Sequence, residues 1–154
     1  MQNPVRGLLH GSAAVLAVVG TGFLVARVPS VPARIAMVVY GLGLLALYST
    51  SSLYHSIPWR EQWKARMQRL DHAMIFVLIA ATFTPIAAVV LDGWVRVSTL
   101  GIAWSVAIVG VGHHLFIRNQ RFHLSIGMMV ARGWMSVPLM FQLADRGGNG
   151  LFGL

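Results

Sequence analysis

Three residues whose side chains can do hydrolytic or metal chemistry lie close together in the sequence. Ser51 and His55 are four residues apart, so on a helix they share one face, one turn apart. Asp71 follows after a short basic segment. A hydroxyl, an imidazole and a carboxylate that converge can hold a metal ion and the water that it activates. Two simpler interpretations stay open: Asp71 as the N-cap of a helix, and Ser51 as a hydroxyl bonded to its own helix.

The composition of the chain indicates the environment of these residues. Of 154 residues, 56% are hydrophobic and only 10% are charged, and the mean hydropathy is +0.70. A soluble protein of this size has a large surface to cover with so few charges, so the excess apolar surface indicates contact with lipid. The chain has no cysteine, which excludes disulfides, thiolate ligands and cysteine nucleophiles. Any metal must therefore be bound by histidine and carboxylate.

Five apolar segments each approach the roughly 20 residues that a helix needs to cross a bilayer. They cover residues of about 7–28, 35–53, 74–91, 97–117 and 124–143. The first is longer than the apolar core of a signal peptide and no small-residue cleavage motif precedes Arg27, which favours an uncleaved helix. The links are short. The sequence therefore predicts an all-α fold, a polytopic transmembrane helical bundle that forms a single domain over residues 1–154.

Basic residues are distributed unequally between the two sides of this bundle, in a chain whose net charge is +8. One side receives Arg6, Arg60, Lys64, Arg66, Arg69, Arg118 and Arg121, and the other Arg27, Arg34, Arg96 and Arg146. Because cytoplasmic loops carry the excess of Lys and Arg, we expect a multi-pass protein of the inner or plasma membrane with a cytoplasmic N-terminus. The basic residues form no continuous stripe, which disfavours nucleic acid and favours membrane lipids and their anionic head groups as partners.

All six histidines fall at the same side of the predicted bundle. They lie at the cytoplasmic ends of the apolar segments: His10, His55, His72, His113, His114 and His123. Histidine tolerates the depth of a membrane interface, as tryptophan and tyrosine do, but that tolerance does not explain why the opposite interface has none. The layer of histidines therefore supports a functional site at this side.

The segment Gly41–Ala46 matches the dinucleotide-binding pattern G-x-G-x-x-A. That pattern binds a nucleotide only where it joins a strand to a helix, and here it lies inside an apolar segment. Small residues in such a segment allow two helices to approach closely. We expect this packing role for Gly41 and Gly43.

Several sequence motifs resemble those of the haemolysin III branch of the progestin and adiponectin receptor (PAQR) superfamily. Ser51–His55 (S-S-L-Y-H) followed by Leu70–Ile75 (L-D-H-A-M-I) looks like the paired signature of that branch. Ile79–Pro85 (I-A-A-T-F-T-P) resembles its continuation, usually I-A-G-T-Y-T-P, and Gly133 with Trp134 resembles a further family feature. The likeness covers nearly the whole chain and implies five spans of a seven-helix PAQR-like fold.

The resemblance also implies a zinc site. In the superfamily, a Ser and a His near the end of the second helix and an Asp at the start of the third face a zinc ion, and two His ligands come from an H-x-x-x-H in the seventh helix. The matching positions here are Ser51, His55 and Asp71, with His55 as a ligand, Asp71 holding the activated water and Ser51 orienting it. The H-x-x-x-H is absent from this sequence. We therefore expect an incomplete form, with Zn²⁺ bound in the complete family member.

Three functions are compatible with these features. The resemblance implies a zinc-dependent membrane hydrolase that acts on a lipid amide or ester at the cytoplasmic leaflet. A pore or cytolysin is the second, although the apolar segments lack the polar stripes that would line a channel. A receptor that binds a lipid without turnover is the third. Metal content, leakage of vesicles and ligand-dependent stability distinguish the three.

Overall fold

A computed structural model describes residues 3–116 of the 154, and these residues form four α-helices. The helices are α1 (Pro4–Arg27), α2 (Val31–Ser56), α3 (Glu61–Val90) and α4 (Gly93–Phe116). The described part of the chain contains no strand. The all-α fold is therefore confirmed. The fifth predicted span, 124–143, lies outside the described residues, as do His123, Gly133 and Trp134.

Prolines and capping side chains define where the helices begin. α1 has a proline in its first turn, and the side chain of Asn3 accepts a hydrogen bond from the backbone N–H of Arg6 at 3.1 Å. α2 also has a proline in its first turn. Proline suits this position because its missing N–H would have no partner inside the helix. The links between consecutive helices are short, so neighbouring helices run antiparallel.

The third helix begins at Glu61, well before the apolar segment that starts near residue 74. Hydropathy marks only the part of a helix that lies in hydrocarbon, whereas the preceding residues are polar but good helix formers. Asp71 consequently lies inside α3, and the N-cap position is taken by Arg60. The interpretation of Asp71 as a helix N-cap is therefore wrong.

Small residues set the distances between neighbouring helices. A Cβ atom added at Gly41 would overlap the side chain of Thr21 on α1, and one added at Gly43 would come within 2.6 Å of the Cβ of Ala81 on α3. These contacts confirm the packing role expected for the two glycines. On the other side of α3, the Nε1 of Trp104 donates a hydrogen bond to the Oγ1 of Thr84 at 3.2 Å.

Much of the apolar surface of the four helices faces outward. Large side chains such as Leu8, Leu16 and Ile108 are more than two-thirds exposed, at 73%, 69% and 70%. All four helices are long and apolar enough to cross a membrane. Burial of this surface in lipid removes the free-energy cost of exposing it to water. The chain is therefore an integral, multi-pass membrane protein.

Candidate functional site

One end of the bundle gathers most of the polar side chains, and we call it the histidine end. It contains the beginnings of α1 and α3 and the last turns of α2 and α4. The backbone N–H of Asn3 donates to the carbonyl of His55 at 3.5 Å, and Nη1 of Arg69 donates to the carbonyl of Leu115 at 3.1 Å. The five described histidines lie here: His10, His55, His72, His113 and His114. Five of the six histidines thus share one end, as the sequence predicts.

Ser51 and His55 lie on one buried face of α2, with only 3% and 8% of their surfaces exposed. The ring of Tyr54 packs against that of His55, with centroids 4.8 Å apart. The Nδ1 atom of His55 is buried and has no hydrogen-bond partner among the described residues. Buried polar atoms are normally paired. An unpaired imidazole nitrogen in this position is suited to a ligand.

The hydroxyl of Ser51 differs from other hydroxyls in these helices. Those of Ser12, Thr21 and Thr82 each donate to the carbonyl four residues earlier, at 3.0, 2.6 and 2.8 Å. Within residues 3–116, the structure shows no such bond for Ser51. The interpretation of Ser51 as a hydroxyl bonded to its own helix therefore has no support in the structure, and the hydroxyl is available for another partner.

Asp71 is half-buried and lies nearly three turns into α3. It lies close enough to His55 for the two side chains to interact electrostatically, and the same holds for Arg6 and His10. The carboxylate and the guanidinium place opposite charges around one imidazole. The structure thus brings the three residues named from the sequence to one end of the bundle, while their catalytic and metal-binding roles stay predictions.

His10 is a neighbour of His55 that sequence reasoning placed in the histidine layer but did not assign to the site. Its ring lies 6.3 Å from that of His55 and 5.7 Å from that of Tyr48, edge to face. Its Nδ1 atom is also buried without a hydrogen-bond partner in the described part of the chain. The sequence contained one indication that His10 lies near α2. Gly7 and Gly11 flank His10, are four residues apart and allow α1 to approach α2 closely.

The remaining histidines form a second group between α3 and α4. The rings of His72 and His114 stack at 6.2 Å, and that of His113 lies 5.8 Å from His114. Phe76 packs against His114 at 5.0 Å, and Nδ1 of His72 lies 2.7 Å from the carbonyl oxygen of Gln68. Of this second group, His114 is buried in the helix interface, whereas His72 is exposed.

The described residues fit part of a zinc site. His55 has an unpaired, buried nitrogen and Asp71 supplies a carboxylate, which are donors that zinc accepts. However, no three His, Asp or Glu side chains between residues 3 and 116 come together closely enough to hold a metal ion. A zinc site needs at least three protein ligands. The described helices therefore do not form a closed zinc site by themselves.

Comparison with known protein families identifies the family of this chain. Residues 1–150 match the family described as Haemolysin-III related. The chain belongs to the haemolysin III family. PAQR is the broader superfamily, so the resemblance seen in the paired motifs around Ser51 and Asp71 is confirmed.

Two haemolysin III relatives show how much of the protein is shared. The hemolysin-3 homolog of Bacillus subtilis (strain 168) is 30% identical over 154 residues, which cover 96% of this chain and 72% of the relative. Hemolysin-3 of Bacillus cereus is 30% identical over 149 residues, covering 92% of this chain and 68% of the relative. The similarity includes the segment that carries Ser51, His55 and Asp71, because it extends over nearly the whole chain.

Proposed function

We propose that this haemolysin III protein is a zinc-dependent membrane hydrolase that cleaves a lipid amide or ester in the leaflet at the histidine end. The observation that supports it is the buried, unpaired nitrogen of His55, with the Ser51 hydroxyl one turn away and the Asp71 carboxylate within electrostatic reach. By the excess of basic residues, this leaflet is the cytoplasmic one.

In this proposal, His55 would bind Zn²⁺ directly and Asp71 would hold the water bound to it, while further ligands would come from outside the described residues. When bound, Zn²⁺ would lower the pKa of a water molecule and would polarise the carbonyl oxygen of a substrate. The burial of His55 and Ser51 keeps competing water away from the site. Polar interactions are stronger in such an environment than in bulk water.

The protein's own side chains then have distinct roles in hydrolysis. The carboxylate of Asp71 takes a proton from the attacking water as its oxygen bonds to the carbonyl carbon of the substrate. The hydroxyl of Ser51 donates a hydrogen bond to the carbonyl oxygen as negative charge develops there. When the carbon–nitrogen or carbon–oxygen bond breaks, Asp71 returns the proton to the leaving amine or alcohol. A lipid substrate enters from the membrane because the site lies at an interface.

The test compares His55→Ala with His72→Ala in protein isolated from membranes. Zinc content is measured by mass spectrometry, and turnover is measured with a short-chain ceramide and a phospholipid ester. In the complete family member, which is the form expected to bind Zn²⁺, His55→Ala should remove both zinc and turnover, and His72→Ala should retain zinc. Turnover that survives both His55→Ala and a zinc chelator would refute the hydrolase. Stabilisation by the lipids without turnover would instead support a receptor.

The names of the two relatives point to membrane lysis as a second candidate function. The outward faces of the described helices are mainly apolar, which suits contact with lipid more than the lining of a pore. Release of a dye from loaded vesicles measures lysis directly. If the protein releases dye equally well with and without the His55→Ala substitution, lysis is independent of the proposed site.

A further inference from the structure

A groove of about 290 Å³ opens at the histidine end, where the first turns of α3 meet the last turn of α4. Apolar and basic side chains line it together: Trp63, Met67, Leu70 and Leu115, with Arg66 and Arg69. None of Ser51, His55 and Asp71 contributes to this lining. The groove is therefore separate from the proposed hydrolytic site. Its surface is mainly apolar, and the two arginines add positive charge to its lining, which suits a ligand with an apolar and an anionic part.

The two arginines of the groove are held in place by contacts that leave their charges available. The guanidinium of Arg66 lies over the ring of Trp63, 5.0 Å from its centroid. Arg69 donates from Nε to the carbonyl of Ala65 at 3.2 Å and from Nη1 to that of Leu115 at 3.1 Å. Neither arginine takes part in the salt bridges of the described residues, which are Lys64–Glu61 and Arg96–Asp92. An anion with several acceptor oxygens would pair with both.

The length of α3 places the groove at the level of the lipid head groups. The helix has 30 residues, which at 1.5 Å per residue make about 45 Å. The hydrocarbon core of a bilayer is only about 30 Å thick. The polar first turns of α3 must therefore project beyond it, and residues 60–70 contain four basic side chains and the single acidic one of Glu61. Trp63, which is 53% exposed, has the amphipathic ring that is enriched at such interfaces.

We propose that this groove binds one anionic phospholipid from the leaflet at the histidine end. Its phosphate pairs with Arg66 and Arg69, and its glycerol and upper acyl chain lie against Met67 and Leu115. The volume is near the lower end of ligand pockets, about 300 Å³, which suits this part of a lipid whose remaining chain stays in the bilayer. The lipid is bound without being hydrolysed, so this site does not depend on the proposed function.

The test measures lipid binding to the full chain in detergent, where no charged bilayer surface contributes to binding. Native mass spectrometry counts bound phosphatidylglycerol and phosphatidylcholine with identical acyl chains. Paired charge removals are compared: Arg66→Gln with Arg69→Gln in the groove, against Arg60→Gln with Lys64→Gln outside it. We expect the groove pair to weaken phosphatidylglycerol binding by about tenfold or more, since two charge-assisted contacts are lost. The outer pair should change it by less than about threefold.

Two further arms separate the alternatives. Met67→Trp fills the groove without a change of charge and should also weaken phosphatidylglycerol binding, whereas inorganic phosphate should not compete. Equal losses in both charge pairs, equal affinity for phosphatidylcholine, or full binding by Met67→Trp would overturn the proposal. So would displacement by inorganic phosphate, which would indicate a site for free phosphate. If loss of the Arg69–Leu115 contact unfolds the double variant, Arg66→Gln alone decides, because within residues 3–116 the guanidinium of Arg66 makes no hydrogen bond or salt bridge whose loss would unfold the protein. Unchanged phosphatidylglycerol binding by Arg66→Gln would equally overturn the proposal.

Discussion

The two ends of the helix bundle differ in how completely their buried polar atoms are paired. At the end away from the histidines, Nε of Arg34 donates to the carbonyl of Val28 and Nε of Arg96 to that of Leu91, each at 2.7 Å. Arg96 also pairs with Asp92 at 3.0 Å. At the histidine end, by contrast, imidazole nitrogens are buried without hydrogen-bond partners in the described part of the chain: Nδ1 of His10, His55 and His113.

This difference separates polar side chains that pair within the fold from buried polar atoms that have no partner in the described residues. The arginines at the opposite end satisfy carbonyls that helix termini leave without an intrahelical partner, so their role is complete within the fold. Buried nitrogens without a partner lower the stability of a protein, so the three among residues 3–116 support the proposal of a ligand at this end. The comparison therefore supports the proposal of a ligand at the histidine end, where Arg69 also satisfies a carbonyl of a helix terminus, and indicates helix termination as the role of the arginines at the other end.

The largest expected effect concerns which end faces the cytoplasm. The chain has no cysteine, so single cysteines can be introduced at Gln62, at the histidine end, and at Ser30, at the opposite end. In intact cells, an impermeant thiol reagent should label Ser30→Cys and leave Gln62→Cys unlabelled, because basic residues are retained on the cytoplasmic side. Both should react after the cells are opened. Labelling of Gln62→Cys alone in intact cells would reverse the orientation.

Two carboxylates, one at each end, provide the next comparison. Asp71→Asn should lower hydrolysis by roughly 10² to 10⁴-fold, the range for loss of a general base. Asp92→Asn makes the same chemical change at the opposite end and should leave hydrolysis unchanged. Turnover of a lipid amide or ester by the purified variants is the measurement. Equal rates for the two variants would remove Asp71 from the proposed mechanism.

The packing of α4 differs along its length in a way that substitutions at two glycines would show. A Cβ atom at Gly110, near the histidine end, would overlap the ring of Phe76, whereas one at Gly101 meets nothing within 4 Å. Gly110→Ala should therefore destabilise the protein by about 1–3 kcal/mol through overpacking. Gly101→Ala should leave stability unchanged or raise it by up to about 1 kcal/mol, since alanine favours the helix. Unfolding in detergent, followed by circular dichroism, measures both, and equal midpoints would contradict the close contact with Phe76.

The smallest expected effect is the loss of the ion pair at the opposite end. The side chains of Arg96 and Asp92 are 39% and 73% exposed, and exposed pairs contribute little. Asp92→Asn should lower the free energy of unfolding by less than about 1 kcal/mol. The difference from wild type should shrink further at high salt, which screens exposed charges. A larger, salt-independent loss would show that this end is held by more than surface electrostatics.

The part of the fold that sequence reasoning predicted well is the part in contact with lipid. The four described helices correspond to the first four apolar segments, because a bilayer selects for apolar composition over a fixed length. The beginning of α3 was not predicted, since hydropathy contains no information about a helix that continues outside the hydrocarbon. For the candidate site, the one-turn spacing of Ser51 and His55 was readable from the helical period. The nearness of Asp71 was inferred from the short basic segment that precedes it, and the resemblance to the family motif strengthened that inference.

By itself, the sequence determined the membrane environment, the number of described spans and the collection of histidines at one interface. Each of these follows from composition and from the alternation of antiparallel helices. The tertiary structure alone decided which histidines meet: His10 with His55 across α1 and α2, and His72 with His114 across α3 and α4. It also decided that Arg69 reaches the carbonyl of Leu115 and that both residues line the groove. These contacts join residues far apart in the chain, and they depend on helix rotation and close approach, which the packing of side chains against one another sets.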